Sequence, residues 1–257
     1  MCHHFSHYGN SSATKGVIIP LTHVAGTVGA EVDACRPVGV GGGVWSLAQS
    51  FIHQLLYCVV GCIVGGLLIG ITTVVLRAFG VIRFQPLHNR VSAGISKNER
   101  FITNPFWLLI FAGLEEAFAR AFLIGWVGHY TGLVIAFAIS AVVFAALHLP
   151  NGKPTVISML NLVLVTVVFG LIYVRFGLWA AIGVHYGWNL AQWPLLGYPM
   201  YGRQVGRFLS TRATGPEWVS GGDFGPEYSV VASVLLGTCI IVLFLRVTSH
   251  AAFALPR

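Results

Sequence analysis

The chain has 257 residues, of which 56% are apolar and 9% charged, and a mean hydropathy of +0.78, whereas soluble domains carry about 25% charged residues. So little charge beside so much Phe, Leu, Val and Ile excludes an intrinsically disordered chain, and the lack of a repeat excludes a collagen-like one. The formal net charge of +7 does not indicate nucleic acid, because the basic residues stand singly between apolar runs, as membrane-flanking charges do.

Residues 1–44 read as a polar, Gly-rich N-terminal segment. Met1 to Thr14 is polar and His-rich, and the apolar stretch Val17 to Leu21 is too short for a secretory core, so the first long span is expected to serve as an uncleaved signal-anchor. His3, His4 and His7 read as part of a solvated chain end. Gly39 to Gly43 lacks the Gly-x-Gly-x-x-Gly order of a phosphate cradle and reads as a flexible segment. Cysteine is uninformative: Cys2, Cys35, Cys58, Cys62 and Cys239 show neither a disulfide framework nor zinc spacing.

Residues 45–250 read as an all-α, polytopic transmembrane bundle of about six spans, followed by a short tail at 251–257. A spanning helix needs about 20 mostly apolar residues. Six stretches qualify or nearly qualify: Ile52–Leu76, Pro105–Val127, Leu133–Leu149, Val156–Val174, Leu178–Leu196 and Tyr228–Val247. The third and fifth are short and suit tilted or sheltered positions. Continuous rather than alternating apolar runs favour helices over a barrel. Within the first span, Gly61-xxx-Gly65 and Gly66-xxx-Gly70 allow close approach of another helix.

Arg77, Arg83, Arg90, Lys97 and Arg100 follow the first span, and Arg203, Arg207 and Arg212 follow the fifth. Both loops fall on one side in an even–odd count, which makes that side cytoplasmic and puts both termini outside. The expected location is a bacterial-type plasma membrane.

Glu115 and Glu116 stand together inside the second span, with Arg120 four residues after Glu116. Each charge at a helix centre costs about 2.5–3.5 kcal/mol on insertion scales, so such residues are functional by default. Glu115 lies roughly 15 Å along the helix from Pro105, which predicts a polar cavity near the bilayer midplane. Glu116 and Arg120 can pair as i and i+4; Glu115 points about 100° away and is left without a partner. His148 ends the third span, and His185 and Asn189 share a face of the fifth. His53, His88, His129 and His250 read as ordinary core or interface residues.

This set suffices for hydrolysis of a peptide bond. Glu115 can take a proton from water, neutral His185 with Asn189 can donate toward an oxyanion, and His148 can orient the water or protonate the leaving amine. One Glu and two His also form a conceivable zinc shell, though the helical His-Glu-x-x-His pattern is absent.

Three motifs in order, Glu115-Glu116-Ala-Phe-Ala-Arg120, Phe144 to His148, and His185 to Asn189, resemble those of the CPBP family, the CAAX-protease and bacteriocin-processing (Abi) group of intramembrane endopeptidases. The resemblance implies that Glu115 activates water, Glu116 and Arg120 support it, His148 helps hold the water, and His185 and Asn189 line the oxyanion site. It places the catalytic core at 105–196 and implies a metal-free glutamate mechanism without a cofactor, zinc dependence being the runner-up. The substrate it implies is a membrane-associated protein or peptide, prenylated in CAAX-processing members, and the partners are this substrate and the lipid bilayer, without nucleic acid. Gly215 to Glu227 resembles a segment before the last helix of bacterial members, and its Glu217, Asp223 and Glu227 read as turn or cap residues. The competing readings are a non-catalytic immunity or peptide-sequestering protein and a small transporter with Glu115 as a proton site.

Overall fold

Apolar runs interrupted by Gly, Pro and polar residues fold here as long helices separated at those interruptions. The computed structural model describes residues 43–85, 101, 103–151, 154–200 and 202–253. The readings for residues 1–42, for His88, Arg90, Lys97, Arg100 and Lys153, and for 254–257 lie outside the described residues.

Helix α1 is Gly43–Ala78. Helix α2, Pro105–Glu116, runs on as a π-helical segment, Ala117–Val127, and then as α3, Gly128–Thr131. Next come α4, Leu133–His148, α5, Val156–Phe176, and α6, Leu178–Leu190, which also turns π-helical over Ala191–Leu195. After α7, Glu217–Ser220, and 3₁₀ turns at Gly222–Phe224 and Pro226–Tyr228, α8 covers Val230–Phe253. These long stretches coincide with the six apolar runs. By length and composition, Gln49–Ala78 and Val156–Phe176 can each cross a membrane, while Leu133–His148 and Val230–Arg246 are apolar but shorter.

The all-α expectation needs one correction. Strands β1, Ile82–Gln85, and β4, Ser210–Ala213, pair antiparallel with Arg83 opposite Arg212. A second pair joins β2, Pro199–Met200, to β3, Arg203–Gln204. Strands of two to four residues are too short to leave a periodic signal in the sequence. The β1–β4 pair joins the two basic loops, an arrangement that requires them to share a side.

Polarity is inverted relative to a soluble protein. Phe51, Val60, Ile63, Leu67 and Val74 of α1, Val134 and Val142 of α4, and Val234, Ile241 and Leu245 of α8 are exposed, whereas Glu116, Arg120, Ser140, Asn161 and Gln192 are buried. An apolar surface this extensive is one that faces lipid.

Helix α6 is the sheltered element: Ala180 to Val184 and Gly187 to Asn189 are buried. It follows α5 with only Gly177 between them, at φ +84°, a conformation that glycine adopts without steric cost. Its other face meets α1 through paired glycines. A Cβ on Gly183 or Gly187 would overlap the carbonyl oxygen of Cys58 or Cys62, and one on Gly61 or Gly65 would overlap that of Ala180 or Val184. The first Gly-xxx-Gly of α1 is thus a backbone contact. The second is not: Gly66 has only loose neighbours and Gly70 has none within 4 Å.

This packing yields a controlled test. Gly187→Ala should lower the melting temperature in detergent by several degrees, because overpacking of this kind costs about 1–3 kcal/mol. Gly70→Ala should match or exceed the parent, since alanine is the better helix former.

Candidate active site

Asn104 starts α2, its Oδ1 accepting the Phe106 N–H at 2.9 Å with Pro105 in the first helical position. Eleven residues on, the helix presents Glu115 and Glu116 and then changes to π geometry. Such segments are frequent at functional sites, and the sequence reading of an unbroken α-helix did not anticipate this one.

Glu116 and Arg120 are fully buried, with Arg120 Nε 3.0 Å from Glu116 Oε2. The guanidinium also lies over the rings of Phe144 and Phe169, 5.0 and 5.4 Å from their centroids, so its charge is met by one carboxylate and two ring faces. The other oxygen of Glu116, Oε1, is 2.8 Å from His185 Nδ1. Glu116 therefore joins α2 to α6, a link of 69 residues along the chain.

A carboxylate can only accept, so His185 Nδ1 carries the hydrogen in this bond. A neutral His185 would then present a lone pair at Nε2, which corrects the expectation of a neutral oxyanion donor. Donation from Nε2 requires both ring nitrogens to be protonated. In that form two carboxylates face two cations and the cluster is neutral, the balance that a low-dielectric interior favours.

The expectation of a partnerless Glu115 is also corrected. Its Oε2 stands 3.7 Å from His185 Nε2, and its side chain is 44% exposed. Glu115 is the accessible carboxylate and Glu116 the enclosed one.

On α4, His148 Nδ1 is 2.8 Å from the Phe144 carbonyl oxygen. That oxygen only accepts, so a neutral His148 has its hydrogen on Nδ1 and a lone pair at Nε2. In this state its Nε2 can accept a hydrogen bond and has no proton to give. Asn189 lies one turn after His185 and is 7% exposed.

Glu115, His148, His185 and Asn189 all line one cavity of ≈ 170 Å³, with Phe169, Trp188 and Met200 among its apolar walls. Glu116 and Arg120 are not in the lining; they stand behind His185. Three helices, α2, α4 and α6, thus bring Glu115, His148, His185 and Asn189 to one cavity. His53 and His129 are exposed elsewhere and do not line the cavity. Among the described residues, no three His, Cys, Asp or Glu side chains are grouped to hold a metal ion.

Glu227 lies in the 3₁₀ turn Pro226–Tyr228, as its reading as a turn residue expects, and it also lines the cavity, with Oε1 accepting from Trp188 Nε1 at 2.7 Å. Its neighbours Glu217 and Asp223 do serve in a helix first turn and a 3₁₀ turn. Gly and Pro around all three signalled turns equally, so local sequence could not single out Glu227.

No curated protein and no solved structure matches the chain. Residues 98–191 match the family model described as Rce1-like, type II CAAX prenyl endopeptidase Rce1-like. That segment contains every residue of the three motifs, and over it the chain is similar to CAAX-protease-like endopeptidases.

Proposed function

We propose that the protein is a glutamate-type endopeptidase that uses activated water to cleave a peptide bond of a membrane-associated protein or peptide. It would do so from a multi-pass bundle of six spans in a bacterial-type plasma membrane. The carrying observation is the shared cavity of Glu115, His148, His185 and Asn189, backed by the Glu116–Arg120 pair. The basic loops would face the cytoplasm, and the cavity, near midplane, would open toward that side, because His148 ends α4 on the same side as those loops.

In the reaction, a water held between Glu115 and the Nε2 lone pair of His148 loses a proton to Glu115 as its oxygen attacks the scissile carbonyl. Nε2–H of His185 and the Asn189 amide then donate to the oxyanion. Glu116 fixes the tautomer and orientation of His185 and balances its charge, and Arg120 pairs with the other oxygen of Glu116.

A zinc route would draw on Glu115, His148 and His185, whose placement does not group them as three ligands; the metal-free route needs no such grouping. Activity of the parent should therefore survive strong chelators, and its loss with recovery on zinc addition would reverse the choice. In proteoliposomes with a farnesylated CAAX-type peptide as probe, Glu115→Gln should cut the rate about 10²–10⁴-fold while the protein still folds. Unchanged cleavage, or a phenotype that persists in cells without cleavage, would favour a sequestering protein.

The buried pair makes a separate forecast. Arg120→Leu leaves a carboxylate without its cation and should cost about 3–5 kcal/mol, read as a large fall in melting temperature, whereas Arg120→Leu with Glu116→Leu should recover most of that loss. The double variant should remain inactive, because His185 then lacks its Nδ1 acceptor.

A further inference from the structure

Glu227 is the one lining carboxyl that this reaction leaves without a task. Its position is closely specified. Asn161 of α5 donates from Nδ2 to the carbonyls of Glu227 and Ser229 at 2.7 and 2.9 Å, and Asn161 Oδ1 accepts from Ser233 of α8 at 2.6 Å. Ser229 then starts α8, its Oγ accepting the Ala232 N–H. Gly225, at φ +90°, turns the chain just ahead. A buried asparagine, a helix cap and a positive-φ glycine thus hold one side chain in the cavity.

Its surroundings bear on its protonation state. Trp188 Nε1–H only donates, so it occupies Oε1 as an acceptor, and when the carboxyl is protonated the hydrogen sits on Oε2. Among the described residues Glu227 forms no ion pair with Lys or Arg. Burial pushes its carboxyl up from the ordinary range, against the opposing pull of the Trp188 hydrogen bond, of the His148 and His185 imidazoles and of the Gln192 side-chain amide.

In the chemistry proposed above the amide nitrogen also needs a proton, and among the groups given a task only Glu115, once it has taken one from water, holds one to give. Nε2–H of His185 is directed to the oxyanion, Nε2 of His148 carries a lone pair, and Glu115 begins the cycle as the base. We propose that Glu227 is the acid that protonates the departing amine, an inference that rests on the peptidase reading.

The steps balance as follows. Water gives one proton to Glu115 and its oxygen bonds to the carbonyl carbon. As the C–N bond breaks, the Oε2–H proton of Glu227 passes to nitrogen and the oxyanion re-forms a carbonyl. The proton on Glu115 then returns to the Glu227 carboxylate through an entering water, and the net change is one amide plus one water to acid and amine. Separating acid from base between two carboxyls in unlike surroundings is a recurrent solution in hydrolases.

The test pairs two probes on the full-length protein in proteoliposomes: a farnesylated peptide with a scissile amide, and the same peptide with an aryl ester there, whose leaving group departs without a proton. Glu227→Gln keeps an oxygen to accept from Trp188 and should fold. It should slow amide cleavage about 100-fold with KM unchanged, yet slow ester cleavage by less than about threefold. Trp188→Phe removes the donor that favours the charged form, so Glu227 stays protonated to higher pH. The alkaline limb of kcat for the amide should move upward with it, because the acid acts only while protonated.

Equal losses on both probes, an amide rate within about threefold of the parent, or an unmoved limb would overturn the assignment. The parent measured beside Glu115→Gln reports on the peptidase reading separately: if the parent cleaves neither probe faster than that variant, the peptidase reading fails, and this assignment fails with it.

Discussion

A carboxylate enclosed in a protein interior must be matched by positive charge or it destabilises the fold, and Glu116 meets that requirement twice, with Arg120 on one oxygen and His185 on the other. The double contact has geometric consequences. It ties α2 to α6, orients the imidazole ring, and leaves His185 Nε2 directed at Glu115. The faces of Phe144 and Phe169, two buried residues that also line the cavity, complete the arrangement around the cation. Most of the interior charge thus serves to aim a single ring nitrogen at the cavity.

Helix α6 carries this ring between two surfaces of opposite character. Gly183 and Gly187 lie against the backbone of α1, while His185 and Asn189 face the cavity on the other side. Alternation of glycine and polar residues at two-residue offsets puts them on opposite helix faces. Close backbone packing on one side leaves the other no freedom to retreat, so the polar pair keeps its place without further hydrogen bonds to α1. Both α2 and α6 turn π-helical immediately beyond their polar pairs, and Pro194, which lacks a backbone donor, lies in the second of these segments.

Much of this was legible in the residues. The helix positions followed from apolar runs bounded by Pro105, Gly132 and Gly177, and the Glu116–Arg120 pair followed from i, i+4 spacing. Glu115, His148, His185 and Asn189, the residues named from the motifs, line one cavity. What escaped was whatever depends on contact between distant segments. The His185 tautomer is set by a residue 69 positions away, the β1–β4 pair joins loops more than 120 residues apart in sequence, and Glu227 is drawn inward by Asn161. The π-helical segments escaped for a different reason: their residues have the same apolar periodicity as an ordinary helix.

The central claim is that Glu115 activates water and does not itself attack the substrate, and the origin of the new carboxylate oxygen decides between the two. In a single turnover of a scissile peptide in ¹⁸O-water, the account expects heavy oxygen in the carboxylate of the N-terminal product and none in the enzyme. Heavy oxygen in the Glu115 side chain with an unlabelled product would contradict it, because that pattern requires a covalent acyl-glutamate.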